Sequence, residues 1–144
     1  MSIGRICRRE VHLVDPSDTV QEAAHRMKVR AVGTLVAVDS KRHPVGVITD
    51  RDIVTRVVAP GLDGRQALVA EAMTRNPVSV LEDTSIEDAL RSMLAHSVRR
   101  LLVVDRRGAL AGIVSMDDAL QLLGDELHTL GRLIGRQPPA RAWA

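Results

Sequence analysis

Gly46-Val-Ile-Thr-Asp-Arg-Asp52 and Gly112-Ile-Val-Ser-Met-Asp-Asp118 stand 66 residues apart and carry one pattern: a glycine, a hydroxyl three residues on, and an aspartate three residues further. Extended outward without a gap, the correspondence lays Val14–Val54 on Val80–Leu120. Nine of those 41 positions are identical, among them Ala23/Ala89, Met27/Met93, Leu35/Leu101 and Asp39/Asp105. Many of the others are conservative, such as Thr19/Ser85 and Val47/Ile113. Internal repetition at a fixed period means one structural unit built twice and packed on itself. Two equivalent clefts arise between such units, and polar residues kept in both copies mark where a ligand could sit.

Each copy has the same order of signals. Ile3–Arg9 and Val69–Arg75 are lead-ins of about one helical turn. Short apolar strands follow at Val11–Val14 and Pro77–Val80. Asp18-Thr-Val-Gln21 and Thr84-Ser-Ile-Glu87 read as capping boxes. The helices behind them place Val20, Ala23, Ala24 and Met27, and Ile86, Ala89, Leu90 and Met93, on one face, and end near Arg30 and His96. Leu35–Val38 and Leu101–Val104 are continuous apolar runs, the mark of buried strands. A third strand is expected at Val45–Thr49 and Leu110–Ser115. A second helix follows, Arg51–Ala59 in the first copy, stopped by Pro60-Gly61, and Asp117–Leu123 in the second, continuing towards Leu133. The division is residues 1–60, a linker at 61–68, residues 69–125, and a helical extension and tail at 126–144 that frays from Gly135 through Pro138-Pro139.

The fold class is therefore α/β (α+β), with two β-α-β-β-α repeats packed sheet to sheet about a pseudo-two-fold axis. A three-stranded sheet with two helices on one face cannot hide its other face alone; two copies can. The apolar helix faces left over predict a homodimer.

Composition narrows the function. The chain of 144 residues is 45% hydrophobic, with no Phe or Tyr and a single Trp, Trp143. Base stacking on aromatic rings, the usual device of single-strand binders, has nothing else to use. The net charge is +2, and Lys28 and Lys41 are the only lysines. Arg is scattered with no long basic run, so no nucleic-acid surface is expected. Cys7, the one cysteine, excludes an intrachain disulfide and aligns with apolar Met73, so it reads as a small buried hydrophobe. His12, His25, His43, His96 and His128 form no metal-ligand spacing, and no metal is assigned. No catalytic constellation stands out, and an enzyme is not expected. No run approaches the ~18 apolar residues of a membrane span, and a cytoplasmic protein is expected.

The two glycine–hydroxyl–aspartate motifs sit where a strand ends and a helix begins. Thr49 and Ser115 would cap those helices, with Asp52 and Asp118 at the third helical position, favourable to the helix dipole. Capping alone accounts for both motifs. The same geometry suits a phosphate, through free amides and a hydroxyl at a helix N-terminus.

Together with Met73-Thr-Arg-Asn-Pro-Val-Ser-Val80 and Met93–Asp105, these motifs resemble the cystathionine-β-synthase (CBS) domain family. The likeness covers roughly residues 3–125, and the chain resembles a stand-alone tandem CBS pair. The resemblance implies Asp52 and Asp118 as ribose acceptors and Thr49 and Ser115 as phosphate donors. It implies Val11, His12 and Leu13, and Pro77, Val78 and Ser79, as the linings of two adenine slots. Basic residues just before the second strand would reach phosphate: Arg99 and Arg100 occupy that place in the second copy, Gly33 and Thr34 in the first. Beside the carboxylate the first copy has Arg51 and the second Asp117, which would repel a phosphate. Nucleotide occupancy is therefore expected to be asymmetric. As solvated surface or dimer contacts, the same arginines would need no ligand.

Two functions follow. The first is a regulatory sensor binding an adenosine-containing ligand (AMP, ADP or ATP ahead of S-adenosylmethionine or NAD), with no cofactor required and an unknown protein partner, which Arg132–Arg141 and Trp143 could contact. The alternative is a ligand-free interaction module that dimerises and binds another protein or, weakly, nucleic acid.

Overall fold

The two continuous apolar runs are the central strands of two sheets in the computed structural model, which describes residues 1–136. In the first sheet β1 (Leu13–Val14) lies parallel to β2 (Thr34–Val38), and β2 antiparallel to β3 (Pro44–Thr49). The second sheet repeats this with β5 (Ser79–Leu81), β6 (Arg100–Val104) and β7 (Leu110–Ser115). The registers are equivalent, Thr34 facing Thr49 and Arg100 facing Ser115. The sheets meet through Val36, Leu102 and Leu110, with Leu13, Val38, Val47 and Ile113 around them. Each Val or Leu buried there stabilises the stack by roughly 1.5–3 kcal/mol.

The outer faces carry α1 (Val20–Arg30) and α4 (Ile86–His96). Both boundaries match the apolar periodicity. The caps lie one residue later than the expected boxes. Thr19, not Asp18, accepts from the Glu22 amide at 3.2 Å, and Ser85, not Thr84, accepts from the Asp88 amide at 3.1 Å. Asp18 is engaged in the preceding turn, where its carboxylate takes the Asp15 amide at 3.1 Å.

The expected Arg51–Ala59 helix is two pieces: α2 (Asp50–Ile53) and a widened π-type turn over Val54–Val58, where the Ala59 amide reaches the Val54 carbonyl at 2.8 Å. Gly61, with φ +79°, follows it. Its counterpart α5 is one helix, Met116–Gly135. The tail reading at Pro138-Pro139 and the contact at Trp143 lie outside the described residues.

The lead-ins change places. The first packs on the second repeat: Ile3 joins Ala89, Met93, Leu101, Val103 and Val114 in one core, and its amide bonds the Thr84 carbonyl at 2.8 Å. The second packs on the first repeat: α3 (Val69–Ala72) and Met73 join Val14, Val20, Ala23, Leu35 and Ile48. Beyond it β4 (Thr74–Arg75), a strand not expected from the sequence, adds to β3 as the fourth strand of the first sheet. The exchange explains the motif glycines. A Cβ at Gly112 would stand 2.7 Å from the Arg8 carbonyl oxygen and 2.9 Å from Cys7 Sγ, and one at Gly46 would run into the Met73 side chain. Burial pushes the Cys7 thiol up, keeping it a protonated apolar filler.

Candidate functional site

Because β1 runs parallel to β2 and β3 antiparallel, the start of β2, the end of β3 and the N-terminus of α2 gather at one edge. The second repeat does the same with β6, β7 and α5. The Arg100 guanidinium donates to Thr34 Oγ1 at 2.9 Å across the repeats. These two residues are repeat equivalents, so their contact marks the pseudo-two-fold axis. A cleft opens on each side.

The larger cleft, about 520 Å³, is built on the first repeat's motif and the second repeat's early strand. Thr49, Asp52, Asn76, Pro77, Val78, Arg99 and Arg100 line it. The smaller, about 310 Å³, joins Ser115 and Asp118 to Glu10, Val11 and His12, with Arg8 and Arg100 beside them. Thr34, Arg100, Ile113, Ser115 and Asp117 belong to both linings. Each cleft thus pairs the motif of one repeat with the early strand of the other.

The motif geometry is the same in both. Thr49 Oγ1 accepts from the Asp52 amide at 3.1 Å, and Asp52 Oδ2 accepts from the Thr49 amide at 2.9 Å. Ser115 and Asp118 repeat this at 3.2 and 2.8 Å. Reciprocal capping leaves Oδ1 of each carboxylate for another donor. At present those donors are guanidiniums: Arg56 lies 3.5 Å from Asp52 Oδ1, and Arg8 Nε 3.0 Å from Asp118 Oδ1. Both carboxylates are mostly buried, at 16% and 12% exposure, whereas the Arg8 side chain is 68% exposed. Burial pushes the Asp118 carboxyl up, but the Ser115 hydroxyl and amide and the Arg8 guanidinium outweigh it and hold it below its ordinary value.

The two clefts differ in charge. The larger has Arg99 and Arg100 against Asp52 and Asp117. The smaller has Arg8 and Arg100 against Glu10, Asp117 and Asp118. A phosphate therefore meets a weaker field of like charge in the larger cleft.

The expected site residues are brought together in part. Thr49, Asp52, Ser115, Asp118, Arg99, Arg100, Val11, His12, Pro77 and Val78 line the clefts. Arg51, Leu13 and Ser79 do not. Arg51 is exposed on α2, Leu13 packs between the sheets, and Ser79 has entered β5, so the early-strand lining of each cleft lies a residue earlier than expected, from Glu10 and from Asn76. Arg8 and Arg56 were missed. Arg56 was legible four residues after Asp52 within the expected Arg51–Ala59 helix; Arg8 was not, being 110 residues from its partner. Among the described residues no three His, Cys, Asp or Glu are placed to hold a metal ion, and no helix is long and apolar enough to cross a membrane.

Comparison with known proteins assigns this architecture. The CBS domain family model matches twice, at residues 3–59 and 69–125. The chain belongs to the CBS domain family. The CBS domain-containing protein YhcV of Bacillus subtilis is 42% identical over 109 residues, 76% of each chain. An uncharacterized protein of Methanopyrus kandleri is 36% identical over 122 residues, 85% of this chain and 62% of that one, so the CBS pair spans less than two thirds of that relative. A solved CBS domain protein from Pyrobaculum aerophilum, complexed with AMP, superposes with a TM-score of 0.72 at 28% identity, covering 82% of this chain and 89% of its own.

Proposed function

We propose that this CBS pair is a non-catalytic regulatory module that binds an adenine nucleotide (AMP, ADP or ATP) between its repeats, and that the cleft built on Thr49 and Asp52 fills first. The observation that carries the reading is the content of that cleft. A capped helix N-terminus, a carboxylate with one oxygen not used by the cap, two guanidiniums and an apolar strand edge converge around about 520 Å³, within the range of small-ligand sites. Asp52 Oδ1 exchanges Arg56 for a ribose hydroxyl. Thr49, Arg99 and Arg100 meet the phosphates. Asn76, Pro77 and Val78 flank the adenine. The smaller cleft repeats these roles with Ser115 and Asp118 and binds more weakly, because Glu10 adds a carboxylate against a phosphate there and Arg99 is absent from it. The AMP complex of the Pyrobaculum aerophilum protein supports the ligand class. Binding shifts the pose of the repeats, or of the halves of a homodimer, by the difference in affinity between two poses, and a protein partner reads the change.

One observation favours the ligand-free alternative: Asp52 and Asp118 are already fully engaged, by their caps and by Arg56 and Arg8. Thermal unfolding against AMP, ADP, ATP, S-adenosylmethionine and NAD separates the two. A ligand binding only the folded state stabilises it by about 2.7 kcal/mol at a hundredfold excess over Kd, a shift of several degrees. The expected result is such a shift with AMP, ADP or ATP. No shift with any of the five at millimolar concentration overturns the reading in favour of the interaction module.

A further inference from the structure

The two clefts share a wall. Of its five residues, Arg100, Ile113, Ser115 and Asp117 come from the second repeat, at the start of β6, along β7 and in the first turn of α5; only Thr34 comes from the first. The sharing is one-sided. Thr49, the repeat equivalent of Ser115, lines the larger cleft alone. The larger cleft therefore reaches into the motif of the smaller, and the smaller does not reach the motif of the larger.

Arg100 is the one cation of that wall. Arg8 and Arg56 are held by carboxylates, whereas Arg100 is exposed and held by the neutral Thr34 hydroxyl, so its charge is kept for an incoming anion. A guanidinium is a planar fork that engages two oxygens of one phosphate. It cannot do so for two phosphates on opposite sides of the axis. Once Arg100 turns into the larger cleft, the cation left to the smaller is Arg8, already on Asp118, against Glu10 and Asp117. The first phosphate also stays beside the shared wall as a negative charge that repels a second.

We infer that adenine nucleotides in the two clefts antagonise each other and that Arg100 carries the coupling. A nucleotide in the Thr49–Asp52 cleft draws the guanidinium to its phosphate and weakens the Ser115–Asp118 cleft. By linkage the reverse effect has the same factor. The inference rests on the nucleotide reading above and goes beyond it. Glu10 and Arg99 make the clefts unequal whether or not the neighbour is filled; Arg100 makes the affinity of each depend on the other. The chain then holds one nucleotide over a wide range of concentration, and the second registers only well above it.

Calorimetric titration of the full chain with AMP, carried to saturation, tests it in the wild type, Asp52→Ala, Arg100→Ala and Arg100→Ala/Asp52→Ala. Asp52→Ala disables the larger cleft, so its remaining event reports the smaller cleft beside an empty neighbour. The second event of the wild type reports the same cleft beside a full one. The inference expects that second event to be weaker by about tenfold or more, and the difference to vanish when both proteins carry Arg100→Ala. Equal affinities mean independent clefts and overturn the inference while leaving the nucleotide reading intact. So does the absence of any event in Asp52→Ala, since the smaller cleft then has no site to couple. A difference that survives Arg100→Ala overturns Arg100 as its carrier. Thr34→Arg tests the same role by gain: it sets a second guanidinium at the repeat-equivalent position and should tighten the second event about tenfold, and an unchanged second event overturns the shared-cation account. No binding by the wild type overturns the nucleotide reading itself, and the inference with it.

Discussion

At Asp118 three chain segments meet: its own helix, the strand end that supplies Ser115, and Arg8 from the exchanged lead-in. Its folded-state pKa is depressed, so its stabilising effect is fully present above the unfolded value near ~3.9 and is lost as pH falls through the lower folded value. Asp118→Asn should therefore flatten the acid limb of the stability curve, followed by urea denaturation between roughly pH 5 and pH 3. An unchanged slope would mean that the carboxylate is not held in its charged form. Arg8 itself is mostly solvated, and an exposed ion pair contributes only about 0–1 kcal/mol. The Ser115–Asp118 pair was legible in the sequence because a cap and its reciprocal partner are always three residues apart. Arg8 was not, because only the exchange of lead-ins brings it there.

The elements that the sequence announced are those whose signal is local. The limits of α1 and α4 follow the apolar period, and β2, β3, β6 and β7 follow continuous apolar runs between turns. The expected capping boxes slipped by one residue because Asp18 and Thr84 have the same chemistry as the true caps beside them. β4 was not legible: two residues, Thr74 and Arg75, carry no alternation, and their pairing to β3 exists only once the second lead-in has crossed over. The exchange makes a prediction about the motif glycines. Gly112→Ala sets its methyl against backbone at Arg8 and should destabilise the protein by about 2 kcal/mol. Gly46→Ala meets a methionine side chain, which can rotate away, and should cost less. Urea midpoints of the two variants compare them directly; equal midpoints would contradict the close packing of the first lead-in on β7.

Over the whole molecule, duplication produces two clefts and the pseudo-two-fold axis joins them. Thr34 and Arg100 sit on that axis and face both, so under the proposed function the one guanidinium can serve a phosphate in only one cleft at a time. The sequence led to an expectation of unequal clefts from Asp117 and Arg99-Arg100, of which only Arg99 lines one cleft alone. It did not show that Asp117 lies on the wall of both clefts, or that Glu10 adds to the smaller, since both facts depend on how the repeats stack. The central claim is that the Thr49–Asp52 cleft is the principal nucleotide site. The most direct test is calorimetric titration of AMP into the wild type, Asp52→Ala and Asp118→Ala, each first checked for folding, since losing a cap partner costs about 1 kcal/mol. The account predicts a principal binding event in the wild type, weakened at least tenfold by Asp52→Ala and retained in Asp118→Ala. Absence of binding in the wild type, or full binding by Asp52→Ala, would contradict it.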